Sequence, residues 1–229
     1  MLTQSSLLQS VPGIFHAFGD AAEPLPEQEK SHWELVRPQW KQVHGKDSAE
    51  LCSPLENLGD VDAVWTEKMA LPIAVVTADC VPILLARKDG GAIAAVHAGW
   101  RGTHARILDA LWEKLRQRGQ SPTDWVAAIG PAIGPCCYEV SPELAKDFEL
   151  RFSEFLAPAH ILPKSRHLDL PAINAALLKE IGFRPESIEL MRMCTLCTKD
   201  AQGSPRFHSY RRAPGAGRQY SYLVRRSAS

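Results

Sequence analysis

His97-Ala98-Gly99-Trp100-Arg101-Gly102 sits directly after one apolar run and directly before an amphipathic helix pattern, and Cys80 opens the run that precedes it. A thiol and an imidazole at one strand–turn–helix junction have the chemistry of an activated nucleophile, or of a metal-ligand set. Backbone logic brings them together. Residues 82–87 and 92–97 are short apolar runs separated by Lys88-Asp89-Gly90-Gly91, a strong hairpin signal. In such a hairpin the numbers of paired residues sum to roughly 177 to 181, so Cys80 faces the stretch 97–101.

Gln42-Val43-His44-Gly45 offers a second imidazole. Alone, a His before a Gly in a turn is a surface residue more often than a ligand. With Cys80 and His97 it forms a His₂Cys set, suited to zinc or copper, with a fourth position left for water or substrate. Asp79 is either an acceptor that orients an imidazole or a carboxylate that closes a strand. Residues 130–138, with two Gly-Pro steps, read as a pocket wall, and Cys136 and Cys137 as buried thiols of a tight corner. Cys194-Thr195-Leu196-Cys197 is a lone CxxC, which does not complete a structural zinc site by itself. Arg211 and Arg212, just after an aromatic, are a phosphate or carboxylate fork, or equally a solvated turn.

The elements that must position these groups are legible in the pattern. Residues 71–77 form a β-branched run fit for a buried strand, and 125–129, 187–193 and 219–224 are further strand candidates. Thr103 is placed to cap a helix on which Ile107, Leu108, Leu111, Trp112 and Leu115 share one face and which Gly119 ends. Ser141-Pro142 opens a helix toward Phe148, and 170–181 reads as another. Residues 20–38 are polar and contain Pro. No repeat, low-complexity tract or domain boundary interrupts the chain, so residues 1–229 read as one domain of mixed strands and helices.

Composition narrows the partners. The 229 residues carry 26 basic and 26 acidic side chains and are 45% hydrophobic. A net charge of zero supplies no long-range field for nucleic acid or an anionic membrane, so neither is expected as a partner. The N-terminal apolar pieces are broken by Ser, Gln and Pro and no cationic region precedes them, so neither signal peptide nor membrane span is read and the expected compartment is the cytoplasm. Six cysteines, two of them adjacent, fit reduced thiols or metal ligands better than a secreted disulfide framework.

Several mechanistic classes fail on spacing. Zinc deaminases need H-x-E followed by P-C-x-x-C; His32-Trp33-Glu34 meets the first half, but Pro135-Cys136-Cys137 and Met193-Cys194-Thr195-Leu196-Cys197 both miss the second. Multicopper oxidases need clustered imidazoles, and the eight His include no H-x-H. A blue-copper site fails because no close His and Met follow Cys80. A cysteine hydrolase with Cys80 as nucleophile and His97 as base survives, and so does metal-assisted activation of water.

Four motifs occur in order: Thr77-Ala78-Asp79-Cys80-Val81-Pro82, His97-Ala98-Gly99-Trp100-Arg101-Gly102-Thr103, Ile129-Gly130-Pro131 through Cys136-Cys137-Tyr138-Glu139-Val140, and Ser209-Tyr210-Arg211-Arg212. In these the chain, from about Gln42 to its end, resembles the YfiH family, whose members are also labelled laccase-domain, polyphenol oxidase or peptidoglycan editing factor. The resemblance implies an α/β fold, a three-layer α/β/α arrangement with mixed β-sheets similar to the catalytic domain of cytotoxic necrotizing factor toxins, where a Cys–His pair acts. Cys80 and His97 match that pair. It further implies purine nucleoside phosphorolysis (adenosine, inosine, guanosine and methylthioadenosine to free base and ribose 1-phosphate), with adenosine deamination as a second activity. Zinc or copper would bind at the positions matched by His44, Cys80 and His97.

Phosphorolysis needs an anchor for phosphate, and Arg101, Arg211 and Arg212 are the candidates. The sequence departs from the family pattern in two places. His16-Ala17-Phe18 runs straight into Gly19-Asp20, without the usual Ser-Thr-Arg sequence and longer Gly/Asn-rich segment, and Ala213 replaces the usual acid after the paired arginines. Three readings remain: a nucleoside-processing enzyme using nucleoside and phosphate, a peptidoglycan-precursor editing hydrolase working through Cys80, and a copper- or zinc-binding protein with incidental oxidase activity. The first is favoured.

Overall fold

In the computed structural model, which describes residues 3–227, the chain opens with one helical turn, α1 (Ser6–Gln9), and strand β1 (Ile14–Phe18). Helix α2 (Glu27–Val36) leads into four short strands, β2 (Gln39–Lys41), β3 (Ser48–Glu50), β4 (Asn57–Asp60) and β5 (Ala63–Thr66). Three longer strands follow, β6 (Ile73–Thr77), β7 (Val81–Arg87) and β8 (Ile93–Ala98), then helices α3 (Trp100–His104) and α4 (Ile107–Gln117). Strand β9 (Trp125–Ile129) precedes helices α5 (Pro142–Phe152), α6 (Pro158–Ile161) and α7 (Leu170–Ile181), and β10 (Ile188–Leu190) and β11 (Gln219–Arg225) complete the set.

The strands form a six-stranded sheet of order β10-β9-β7-β8-β5-β3, a three-stranded sheet β1-β11-β6, and the pair β2-β4. Both β10–β9 and β3–β5 are parallel while β7 runs antiparallel to its neighbours, so the large sheet is mixed, as expected. Residues of β7 alternate between two cores. Ile83 and Leu85 pack with Leu111, Trp112, Ile173 and Leu177 of the helices, whereas Leu84 and Ala86 pack with Ile73, Val75 and Leu223 of the smaller sheet. Both faces are covered, which is why this strand reads as a continuous apolar run rather than an alternating one. Trp33 of α2 covers the far face of the smaller sheet with Tyr222 and Val224. Helices therefore cover both outer faces, and the middle of the sandwich is a pair of sheets packed face to face. Among the described residues no helix is long and apolar enough to cross a membrane.

The hairpin register is the expected one: Pro82 lies opposite His97 and Ala86 opposite Ile93. One local reading is corrected. Thr103 does not cap α4; it lies inside α3, where its buried hydroxyl accepts from Asn174 Nδ2 (3.0 Å), and the residue before α4 is Arg106 in a left-handed conformation (φ 61°). The polar stretch 20–38 holds α2, whose buried face reduces to Glu29 and Trp33, too few positions to produce an apolar stripe.

His16 on β1 is almost fully buried, with Ser5 N–H donating to its Nε2 (2.8 Å). Burial, only partly offset by Glu189, lowers its pKa to about 4. An unfolded chain binds this proton near pH 6.5 and the folded chain does not, so stability is complete above that pH and falls as acid is added. Urea titrations between about pH 7 and about pH 4.5 should show roughly 2–3 kcal/mol of loss from this group, absent in His16→Gln; an identical loss in the variant would refute the assignment.

Candidate active site

Cys80 lies where the chain passes from β6 in the small sheet to β7 in the large one. The bend is made at Asp79, which takes φ 90°, a conformation costly for a side chain bearing a Cβ. Three neighbours hold it there: its carboxylate accepts from Thr195 Oγ1 (2.6 Å) and Arg211 N–H (2.7 Å), and its carbonyl accepts from Ile133 N–H (2.9 Å). Of the two roles read for Asp79, closing the strand is the one observed. Opposite it, Gly99 leaves room for the site, since a Cβ there would lie 3.1 Å from both Cys80 Sγ and His44 Cδ2.

The group that orients the imidazole is Asp62, immediately before β5. Its carboxylate is completely buried and lies 2.7 Å from His97 Nδ1, and it accepts from the amides of Val43 (3.2 Å), His44 (3.0 Å) and Gly45 (2.7 Å). One carboxylate thus fixes the His97 ring and the turn that carries His44, itself left-handed at φ 61°. The His44 and His97 ring centroids lie 4.8 Å apart, and one ligand atom each from His44, Cys80 and His97 falls within 4.8 Å of the others. With Nδ1 engaged by Asp62, His97 turns Nε2 toward Cys80. Asp62 escaped the sequence reading; its signal was a lone carboxylate between Val61 and Ala63 at the mouth of an apolar strand.

Electrostatics follow from this packing. Burial pushes the Cys80 thiol up, but hydrogen bonds with His44 and His97 outweigh it and bring the pKa down to about 7. Burial disfavours a charged His97, but Asp62 and Cys80 overcome it and raise the pKa to about 9. For Asp62, burial is outweighed by His97 and the amides of Gly45 and His44, and the carboxyl is held below its usual range. Without a metal the arrangement is a thiolate beside an imidazolium backed by a carboxylate. The same donors suit a metal: a thiolate and two imidazoles, one fixed through its second nitrogen by a carboxylate, converging from three separate elements.

This set opens into a cavity of about 1200 Å³. Its walls combine aromatic rings, among them Trp33, Trp40, Trp100, Tyr138 and Tyr220, with the cations Arg37, Lys41, Arg101, Arg211 and Arg218. Arg101 stacks on Trp100 (4.4 Å to the ring centroid), and Arg211 stacks on Tyr138 (5.4 Å) and donates to the Glu139 carbonyl (3.1 Å). Arg212 is not part of the cavity wall. Its guanidinium donates to the carbonyls of Thr195, Leu196 and Phe207 and ties two loops together, so of the three predicted phosphate anchors only Arg101 and Arg211 face the site. The reading of the CxxC as lacking a partner pair is also corrected. Cys136 and Cys137 lie beside Cys194 and Cys197, with all four sulfurs within 4.8 Å of one another.

Residues 27–226 match the family described as multi-copper polyphenol oxidoreductase laccase. The chain is similar to a purine nucleoside phosphorylase of Bacteroides thetaiotaomicron, 38% identical over 150 residues, covering 63% of this chain and 55% of the relative. It is also similar to adenosine deaminase RL5 from an unknown prokaryotic organism, 33% identical over 172 residues, covering 74% of this chain and 64% of the relative. The matches thus span less than two thirds of the length of these two relatives. In fold it is similar to the crystal structure of YlmD from Geobacillus stearothermophilus, with a TM-score of 0.76, 24% identity and 98% of both chains covered.

If Asp62 holds the site together, Asp62→Asn should place an amide where acceptors are needed and leave His97 without its counter-charge. We expect a loss of about 3 kcal/mol or more in chemical denaturation and a zinc affinity lowered roughly 10–100-fold in equilibrium dialysis. A variant with unchanged stability and zinc binding would show that the carboxylate is dispensable.

Proposed function

The chain belongs to the family described as multi-copper polyphenol oxidoreductase laccase, and from that premise we propose that it is a purine nucleoside phosphorylase with an adenosine deaminase activity at the same site. The observation that carries the reading is the union, in one cavity, of the Cys80–His97–Asp62 set with aromatic walls and cations. Purine rings stack on aromatic faces at about 1–3 kcal/mol per base, and a guanidinium meets phosphate oxygens through paired N–H donors. The names of the two relatives support the same substrate class.

In phosphorolysis a phosphate oxygen bonds to the ribose anomeric carbon, the glycosidic C–N bond breaks, and the departing base takes up a proton. Arg101 and Arg211 hold the phosphate, and the ring of Tyr138, on which Arg211 rests, fixes the direction of that guanidinium. Trp33, Trp40 and Tyr220 receive the base. Asp62 accepts from His97 Nδ1–H and raises the pKa of the ring to about 9, so in the metal-free site His97 is an imidazolium whose Nε2–H donates to the departing base, with the exposed His44 ring beside it. In deamination water adds to the purine carbon that bears the amine and the C–N bond to that amine breaks; His44 accepts the proton from the water and returns one to the departing ammonia. Zinc, with copper as the second choice, would be held by His44, Cys80 and His97, and when bound would supply a Lewis acid that lowers the pKa of water.

Cys80, His97 and Asp62 also stand in the order nucleophile, base and carboxylate, which favours as second reading an editing hydrolase acting on a peptidoglycan precursor through Cys80. Phosphate dependence separates the two. Purified protein should release base from adenosine and inosine only when phosphate is present, and Cys80→Ala and His97→Ala should each lose at least about 100-fold of that rate with an unchanged circular dichroism spectrum. A wild-type rate in either folded variant would remove the site assignment. Phosphate-independent release of an amino acid from a muramoyl substrate, with no base release, would replace the phosphorylase by the hydrolase.

A further inference from the structure

Of the five cysteines outside the catalytic set, four lie together. Cys136 and Cys137 sit on the turn that follows β9, and Cys194 and Cys197 on the turn that follows β10. Their sulfurs all lie within 4.8 Å of one another, and Cys136 and Cys197 are 3.6 Å apart, much longer than the roughly 2.05 Å of a disulfide. Four sulfurs at about 2.3 Å around a tetrahedral zinc ion stand about 3.8 Å from each other, which is the spacing approached here. We propose that Cys136, Cys137, Cys194 and Cys197 form a second metal site, a closed tetrathiolate centre for a structural zinc ion.

A further observation supports it. Gly134 N–H donates to the Cys194 sulfur (3.3 Å), the amide-to-sulfur contact that steadies a metal-bound thiolate. With four protein ligands no position is left for water or substrate, which makes the site structural and its role independent of whether the cavity carries out phosphorolysis.

The ion would act on the cavity through the loops it joins. Ala132 already bridges to Cys194, Tyr138 follows Cys137 directly, and Thr195 of the other turn bonds Asp79 beside Cys80. Zinc here clamps the Tyr138 wall to the loop that holds Asp79 in its strained bend.

The test uses the full chain with His44→Ala and Cys80→Ala, which removes two ligands of the catalytic set while leaving His97 paired with Asp62. Purified in reductant, this protein should retain about one zinc per chain by atomic emission, and Cys197→Ser added to it should lose that zinc. Because the serine variant can fail to fold, cobalt is also exchanged into the parent, where a thiolate-to-cobalt charge-transfer band of tetrahedral, four-sulfur intensity is expected. A folded parent that holds no zinc and gives no such band overturns the site, as does a disulfide between any two of the four cysteines found by mass spectrometry under reductant.

Discussion

A carboxylate removed from water must be surrounded by donors, and Asp62 turns that requirement into architecture. Four groups converge on its two oxygens: three consecutive amides of the turn 43–45 and the His97 ring. The backbone repeats the link, with His97 N–H donating to the Asp62 carbonyl (2.7 Å) at the start of the β5–β8 pairing. A buried charge left without partners would cost several kcal/mol, so the turn cannot drift and the ring cannot rotate without exposing that cost. The relative positions of His44 and His97, and the charge His97 carries, follow from this arrangement.

Cys80 is fixed by a different constraint. It belongs to the few residues that carry the chain from one sheet to the other, and the two sheets are locked by the shared core of Ile73, Val75, Leu84 and Leu223. The crossing forces Asp79 into its positive φ, and the loops bearing Thr195, Arg211 and Ile133 supply the hydrogen bonds that hold it there. Thiol, imidazoles and cationic wall are therefore set by packing between layers rather than by any single loop, which is how a site keeps sub-ångström order in an open cavity.

What the sequence disclosed and what it hid divide along a physical line. The hairpin was legible because its turn residues and apolar runs act locally, and the register that brings Cys80 to Gly99 follows from counting. Trp125–Ile129 and Leu170–Ile181 were readable for the same reason, each being a full apolar element with its own punctuation. Asp62 was not, because a buried carboxylate declares itself only through partners 17 to 35 positions away. Arg212 and the four cysteines misled in the same way. A guanidinium spent on three carbonyls looks in sequence like one awaiting phosphate, and a CxxC whose partner pair lies some sixty residues upstream looks alone.

The aromatic wall of the cavity and the Cys80–His97–Asp62 set are built from separate pieces. Trp33 comes from α2 and Trp40 from β2, which pairs with β4 in a two-strand sheet apart from both main sheets. His97, by contrast, is seated in a central strand and Asp62 abuts its neighbour, both buried. The two regions meet at the turn 43–45, whose amides Asp62 holds in place. A lineage built on this plan can change its ligand while keeping its reagents, so close kin of one ancestry can come to act on different molecules through an unaltered reactive centre.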